Sequence, residues 1–381
     1  MKKVKVLHLA SFSGNIGDNA NHTGSRKALN EYKHILNFDF TNEEIREYYW
    51  RNKKFDDNFA KKCNQYDLVL IGGGNYLEFH IHHSRTGTSI DIPKYLLKKI
   101  NVPIVFFSLG CECSLGYKEE TFLKSKSFID FIISLPNRYY LSVRNDGAHY
   151  NIKKYYGKSY IDKFTLIPDS GFLIEKQETG YNLKKNKKYI GVNIAGDSLD
   201  VRFKSNRSKE FFLNSFAKFI SKTIEKENKD FVFFPHIYKD FTIINELVEK
   251  LSDPIRRKNI LIAPLTPGDQ GMEDTFGIYS QCEMIFANRF HSNVCSIALG
   301  IPVVGLFNFP QIKLLYKEID LEERMINLNS SNLFKKFTNI YNDTILNYSE
   351  ILKKQNHVLD RIRSDHKKGL NNLIKWIDKV L

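Results

Sequence analysis

Arg289 and His291 stand two residues apart, directly after the apolar run at 282–287 and before a predicted helix. On an extended segment this spacing directs both side chains to the same side, and a helix start attracts anions. An arginine there can hold a phosphate while an imidazole moves a proton. His236 leaves a neighbouring apolar run in FFPHIYKD and could join the pair. A single histidine is more often structural, but this joint pattern predicts a catalytic site.

Another cation, Arg144, leaves the apolar run YYLSV, and Asp169 follows the run FTLIP. In parallel α/β domains ligands gather at the carboxyl ends of strands. The planar guanidinium suits a carboxylate or a phosphate of a ligand. An equally good interpretation is a structural ion pair between Arg144 and either Asp146 or Asp169.

The segment SFSGNIGDN after the first apolar run can turn tightly at its glycines, and Asn15 and Asp18 can cap the helix that follows. Exposed N–H groups at the start of that helix could bind an anion or a hydroxyl. The alternative is a capped turn without a ligand, because Asn and Asp favour such turns in any case.

Three consecutive glycines, Gly72, Gly73 and Gly74, follow the run YDLVLI and precede Asn75 and Glu78. Consecutive glycines are expected where the backbone approaches a ligand or a neighbouring strand closely, or adopts positive φ. The histidines in HIHH nearby match no zinc signature. We therefore predict a polar pocket lining here, and neither a metal nor a cofactor.

These residues need strands and helices that hold them at one edge of a sheet. Apolar runs without alternation recur along the chain, each followed by polar or glycine residues and a helical stretch, as expected for parallel strands covered on both faces. The lysine-rich stretch EKQETGYNLKKNKK interrupts the pattern, which then restarts. The prediction is an α/β protein of two Rossmann-like domains, at 1–178 and 187–340, with an interdomain cleft and a C-terminal helical extension at 345–381 that packs back on them.

Composition restricts the class of protein further. The 381 residues carry 57 Lys and Arg against 43 Asp and Glu, a formal charge of +14, so an anionic ligand or membrane surface is a plausible partner. The N-terminus reads as a first strand and not as a signal peptide. The five cysteines show no paired spacing, which fits a reducing compartment. We expect a cytoplasmic protein. Its positive charge is compatible with peripheral contact at the inner face of the membrane.

In the order of its motifs the chain resembles the polysaccharide pyruvyl transferase family. The motifs are Asn15-Ile-Gly-Asp18, Gly72-Gly-Gly74, Ser142-Val-Arg144 with Asp169, Arg289-Phe-His291 and Gly300-Ile-Pro302. The resemblance implies a GT-B-like fold and transfer of a pyruvyl group from phosphoenolpyruvate to two glycan hydroxyls as a ketal. It also implies a role in cell-envelope polysaccharide assembly, on a glycan or lipid-linked saccharide acceptor.

Roles for the candidate residues follow as a hypothesis from this resemblance. The predicted donor-binding residues are Arg289, Arg144, Lys313 and Ser292. His291 or His236 would protonate the methylene carbon of the donor. Asp169, Asp18 or Glu78 would accept the hydroxyl protons, and the sequence does not rank them. The predicted acceptor-side residues are Asn15, Asp18, Gly72, Gly73, Gly74, Asn75 and Glu78.

Two other functions compete with this one. A GT-B-type glycosyltransferase would hold a nucleotide sugar in the same fold, and Glu273 or Asp274 is the local candidate for a ribose-binding acid. A nucleic-acid-binding protein would exploit the positive charge and bind any duplex in a steeply salt-dependent way. The chain contains neither a dense basic helix nor an RNA-binding signature, so we expect no nucleic-acid partner.

Overall fold

The computed structural model describes residues 2–381, which divide into two compact units. Unit 1 comprises Met1–Gly14, Asn21–Leu173 and Arg361–Leu381, and unit 2 comprises Asn15–Ala20 and Ile174–Asp360. Each unit contains one six-stranded sheet, and every paired strand in both sheets is parallel. The predicted α/β class with two Rossmann-like domains is therefore confirmed.

Unit 1 alternates strands and helices along the chain. Its strands are β1 (Lys2–Ala10), β2 (Leu36–Glu44), β3 (Leu68–Gly72), β4 (Ile104–Leu109), β5 (Tyr139–Val143) and β6 (Thr165–Leu166). The helices between them are α1 (Ile16–Asn30), α2 (Arg46–Tyr49), α3 (Asp57–Cys63), α4 (Lys94–Lys99), α5 (Glu119–Ile133) and α6 (Ala148–Tyr155), with 3-10 turns at Lys158–Lys163 and Ser170–Leu173. The sheet order is β2-β1-β3-β4-β5-β6. Its strand order therefore reverses between β1 and β3, where ligands of such sheets usually bind.

Unit 2 repeats the alternation. Its strands are β7 (Tyr189–Asn193), β8 (Asp230–Phe233), β9 (Ile260–Ile262), β10 (Met284–Ala287), β11 (Val303–Phe307) and β12 (Met325–Asn327). Its helices are α7 (Leu199–Arg202), α8 (Asn206–Glu227), α9 (Asp240–Val248), α10 (Asp253–Asn259), α11 (Gly268–Tyr279), α12 (Phe290–Ala298), α13 (Pro310–Glu318) and α14 (Leu333–Leu346), with a 3-10 turn at Glu322–Arg324. The order β12-β11-β10-β7-β8-β9 is that of a Rossmann sheet, with its switch point between β7 and β10.

The long last helix α15 (Tyr348–Val380) covers part of the sheet of unit 1. Leu68 and Leu70 of β3 point to one face of that sheet, while Val69 and Ile71 point to the other. The first face is buried by the apolar side of α15, as the helical spacing predicted. The residues of α15 in this core are Leu370, Leu373, Ile374 and Ile377. Among residues 2–381, none of the helices combines the length and apolarity that crossing a bilayer requires.

Two edge strands were missed by sequence reasoning. β2 has a mostly polar sequence, LNFDFTNEE, and much of it is partly or fully exposed because it lies at the edge of its sheet. β12 is three residues long and also lies at an edge. The polar residues of β2 and the shortness of β12 leave neither strand with an apolar run that sequence reading could recognise.

All five cysteines are buried thiols. Burial raises the pKa of Cys63 to about 12 and that of Cys113 to about 11. A thiol is a nucleophile only as the thiolate, so these groups are poorly reactive in the folded chain.

Candidate active site

The switch point of unit 2 is fixed by two asparagines at the ends of its central strands. Asn193 ends β7, and its Oδ1 accepts a hydrogen bond of 2.9 Å from the backbone N–H of Arg289. Asn288 follows β10, and its Oδ1 accepts from the N–H of Ala195 at 3.0 Å. These reciprocal bonds connect the two strand-end loops and set the direction in which Arg289 leaves the sheet.

Arg289 is held by two carboxylates. Its Nε donates to Oδ2 of Asp240 at 2.8 Å, and its Nη2 donates to Oδ1 of Asp197 at 2.6 Å and also to Oδ1 of Asp240. Burial alone would raise the pKa of Asp240, but the charge and hydrogen bonds of Arg289 outweigh it and hold that pKa below its usual value. Within residues 2–381, Nη1 is the guanidinium nitrogen that donates to no protein acceptor.

His291 lies in the first turn of α12, next to the first turn of α1. Its Nδ1 is 3.8 Å from Oδ1 of Asp18. A Cβ added to Gly17 would lie 2.3 Å from the Cβ of His291 and 2.6 Å from its Nδ1. Only glycine leaves room for this approach, so the NIGD motif supplies both the carboxylate and the space beside the imidazole. Asn15 accepts from the N–H of Gly17 at 3.0 Å and so shapes the same turn.

His236 and Ser292 are joined through a tyrosine that sequence reasoning missed. The Nε2 of His236 lies 3.0 Å from the hydroxyl of Tyr279, which lies 2.9 Å from the Oγ of Ser292. All three side chains are fully buried. Burial lowers the pKa of His236 to about 3, so its imidazole is neutral at physiological pH. Tyr279 gave no signal because it lies at the end of a helix and not at the end of a strand.

In unit 1, Arg144 makes both of the ion pairs that the sequence left open. Its Nε donates to Asp146 at 2.8 Å, and its Nη1 donates to Oδ2 of Asp169 at 3.0 Å. Asp169 also accepts from Nδ2 of Asn21 at 2.6 Å and is fully buried. Asp169 therefore positions Arg144, because both oxygens of Asp169 already accept hydrogen bonds.

The glycine triplet approaches other parts of unit 1. A Cβ on Gly72 would lie 2.1 Å from the carbonyl oxygen of Phe107 in the adjacent β4. Gly73 has φ of +84°, and a Cβ there would lie 2.8 Å from the ring of His22. A Cβ on Gly74 would lie 2.5 Å from the ring of Tyr76. Close packing within the unit therefore accounts for these glycines.

Asn75 and Glu78 follow the triplet and contact each other. Nδ2 of Asn75 donates to Oε1 of Glu78 at 3.0 Å, and the hydroxyl of Ser89 donates to Oε2 at 2.8 Å. Burial, together with the nearby charge of Glu112, raises the pKa of Glu78 to about 7. A carboxyl group with that pKa can both take up and release a proton near neutral pH.

The predicted residues thus form two groups. Unit 2 brings together Arg289, His291, His236, Ser292, Asn15 and Asp18, and unit 1 holds Arg144, Asp169, Asn75, Glu78 and the glycine triplet. Lys313 is exposed on α13, in unit 2. Of the two acids named for a nucleotide sugar, Asp274 is buried and accepts from the hydroxyl of Thr179 at 3.0 Å.

The chain is similar in fold to several solved structures. A glycosyltransferase from Rickettsia africae matches with a TM-score of 0.55 and 11% identity, covering 100% of this chain and 99% of that one. A protein from Listeria monocytogenes described as a UDP-N-acetylglucosamine 2-epimerase matches with a TM-score of 0.54 and 11% identity, covering 94% and 95%. MnaA of S. aureus, solved with UDP, matches with a TM-score of 0.53 and 13% identity, covering 97% of each chain. At these identities the likeness concerns the fold, and it confirms the predicted GT-B-like class.

A comparison with curated protein sequences gave no match. The model of one protein family, polysaccharide pyruvyl transferase, matches residues 15–307. That range begins at the NIGD motif and extends beyond Arg289 and His291 through β11. The chain therefore belongs to the polysaccharide pyruvyl transferase family.

Proposed function

We propose that this protein transfers a pyruvyl group from phosphoenolpyruvate to two hydroxyls of a glycan, forming a ketal during cell-surface polysaccharide synthesis. One observation carries the proposal: Arg289 and His291 stand together at the start of α12, at the switch point of the sheet of unit 2. A cation with one free edge, a helix N-terminus and an imidazole suit an anionic donor that must be protonated. Membership of the family supports the reaction class.

Arg289 would bind an anionic group of the donor through Nη1. Its other donors are fixed by Asp197 and Asp240, so the guanidinium is oriented before the donor arrives. A preoriented cation loses little conformational freedom on binding and can stabilise the departing phosphate. Asp240 and Asp197 are positioning residues in this scheme.

His291 is the better of the two candidate acids. His236 is a neutral imidazole at physiological pH and therefore a poor proton donor, and its Nε2 lies 3.0 Å from the hydroxyl of Tyr279. His291 is not tied to Tyr279 in this way, and Oδ1 of Asp18 lies 3.8 Å from its Nδ1. We assign proton donation to His291 and the support of Ser292, through Tyr279, to His236.

The reaction balances as follows. His291 gives a proton to the methylene carbon of phosphoenolpyruvate, and a first hydroxyl oxygen bonds to the adjacent carbon while its proton passes to a base. The bond from that carbon to the phosphate oxygen then breaks, inorganic phosphate leaves, and a second hydroxyl oxygen bonds to the same carbon. The second hydroxyl also loses its proton, which the phosphate can carry away. The products are a pyruvate ketal and inorganic phosphate.

The test is thermal stabilisation of the purified protein by phosphoenolpyruvate and by a panel of nucleotide sugars, because a ligand that binds only the folded state raises the melting temperature. We expect a shift with phosphoenolpyruvate that disappears in Arg289→Ala. Arg257→Ala is the matched control, since that arginine is exposed and pairs with Asp253 on the surface of α10. A shift with nucleotide sugars alone would contradict the proposal and favour a glycosyltransferase.

A further inference from the structure

Unit 1 contains a cavity of about 670 Å³ that the donor chemistry does not use. It is lined by α2 with the loop that follows it, and by the segment between Glu78 and Tyr95. All of its lining residues belong to unit 1. This volume lies within the range of pockets that bind small molecules, and it can hold one or two sugar rings.

Glu78 is one of the polar residues that line this cavity. Its two oxygens are fixed by Asn75 and Ser89, so the carboxyl group has one orientation. Burial raises its pKa to about 7, and the Arg144 guanidinium is near enough to lower that pKa in part. Glu78 can therefore exchange a proton with a ligand near neutral pH.

Aromatic side chains form part of the walls. Tyr48 is stacked on Phe55, with ring centroids 4.0 Å apart and planes at 7°. Tyr49 and Tyr95 are 42% and 55% exposed and also line the cavity. Rings with one polar end and one apolar face suit the alternating C–H and hydroxyl surface of a sugar.

Two cations at the cavity have no carboxylate partner within residues 2–381. Lys53 pairs with Glu43, and Arg85 pairs with Asp91. Arg51 and Lys54 are exposed, and no ion pair involves either side chain. Exposed cations three positions apart in the lining of a cavity favour a ligand with a negative group.

Asn75 connects the cavity to Arg144. A Cβ added to Gly110 would lie 2.5 Å from Oδ1 of Asn75 and 3.0 Å from Nη2 of Arg144. The amide of Asn75 thus reaches Glu78 on one side and the surroundings of Arg144 on the other. The carboxylate at the cavity and the arginine at the end of β5 form one polar cluster.

We propose that this cavity binds the acceptor saccharide and that the acceptor carries an anionic group held by Arg51 and Lys54. The inference rests on the proposed function, since it concerns the second substrate of that reaction. Phosphate and uronic-acid groups share the chemistry that the two cations would recognise.

In the experiment, the labelled protein is added at increasing concentrations to an array of phosphorylated, uronic-acid-containing and neutral oligosaccharides, and the bound protein is measured. We expect saturable binding confined to the anionic sugars, and an affinity about tenfold lower in the double variant Arg51→Ala, Lys54→Ala. The matched control is Lys158→Ala, Lys163→Ala, which removes two exposed cations elsewhere in unit 1 and should bind as the unmodified chain does. The phosphorylated and uronic-acid arms identify the source of the charge.

Binding to neutral sugars alone, equal affinity in the two double variants, or no binding to any sugar would overturn the inference. Phosphoenolpyruvate stabilisation is measured on the same protein samples. If the donor stabilises the chain while the sugars fail, only the acceptor inference is wrong. If the sugars bind as expected while phosphoenolpyruvate does not stabilise the protein, the inference about the cavity is supported and the proposed donor is wrong.

Discussion

Replacing Asp240 with Asn removes the charge that fixes Arg289. Asp240 is fully buried and accepts from Arg289 and from the backbone N–H groups of Gly196, His236 and Ile237. Asn turns one acceptor oxygen into a donor that faces these donors. Removing one partner of a buried ion pair destabilises by about 3–5 kcal/mol. At roughly 2–4 °C per kcal/mol for a domain of this size, the melting temperature of unit 2 should fall by about 6–20 °C.

The assay is thermal and urea unfolding followed by circular dichroism, with Asp253→Asn as the control. Asp253 pairs with Arg257 at 2.8 Å but is 57% exposed, so its loss should change the free energy of unfolding by less than about 1 kcal/mol. The folded state lowers the pKa of Asp240, so its contribution is present at neutral pH and is lost as pH falls through that lowered pKa. A variant as stable as the control, or a deficit that grows on acidification, would refute this account of Arg289.

Three further perturbations test the site. His291→Ala should lower transfer by about 10²–10⁴-fold with the fold retained, so near-normal turnover would remove the imidazole from the mechanism. Glu78→Gln should also lower transfer. A carboxylate base works only when it is unprotonated, so the rate of the unmodified enzyme should rise up to about pH 7, and this rise should be absent in the variant. If both proteins show the same pH profile, Glu78 is not the base. Gly17→Ala should destabilise by about 1–3 kcal/mol and impair transfer through collision with His291, whereas Gly180→Ala, with open space around it, should do neither.

Local patterns in the sequence predicted what lies at the ends of central strands. Arg289 and His291 follow the apolar run that becomes β10, and α12 begins between them at Phe290, so their placement followed from periodicity and helix start signals. The partners of Arg289 could not be found in this way. Asp197 and Asp240 are 92 and 49 positions away and meet it only because β7, β8 and β10 end at the same edge. The one hint in the sequence was that Asp240 lies four residues after His236.

The choice between the two histidines also needed the fold. His236 and His291 are equivalent in sequence, since each follows an apolar run. Burial decides their chemistry, because the surroundings of His236 lower its pKa to about 3 while Asp18 lies beside His291. His236 is buried because Phe276 and Tyr279 of α11 pack against its ring. The spacing of residues in the sequence does not predict that contact.

Each unit contains buried cysteines whose reaction with a thiol reagent would show when that unit unfolds transiently. Cys63, Cys111 and Cys113 belong to unit 1, and Cys282 and Cys295 belong to unit 2. A thiol that is protonated and covered reacts with an alkylating reagent only when its surroundings unfold transiently. Mass spectrometry of peptides after timed alkylation would therefore record the opening rates of both units in one sample. A substitution such as Asp240→Asn should speed the labelling of the second set and leave the first set unchanged.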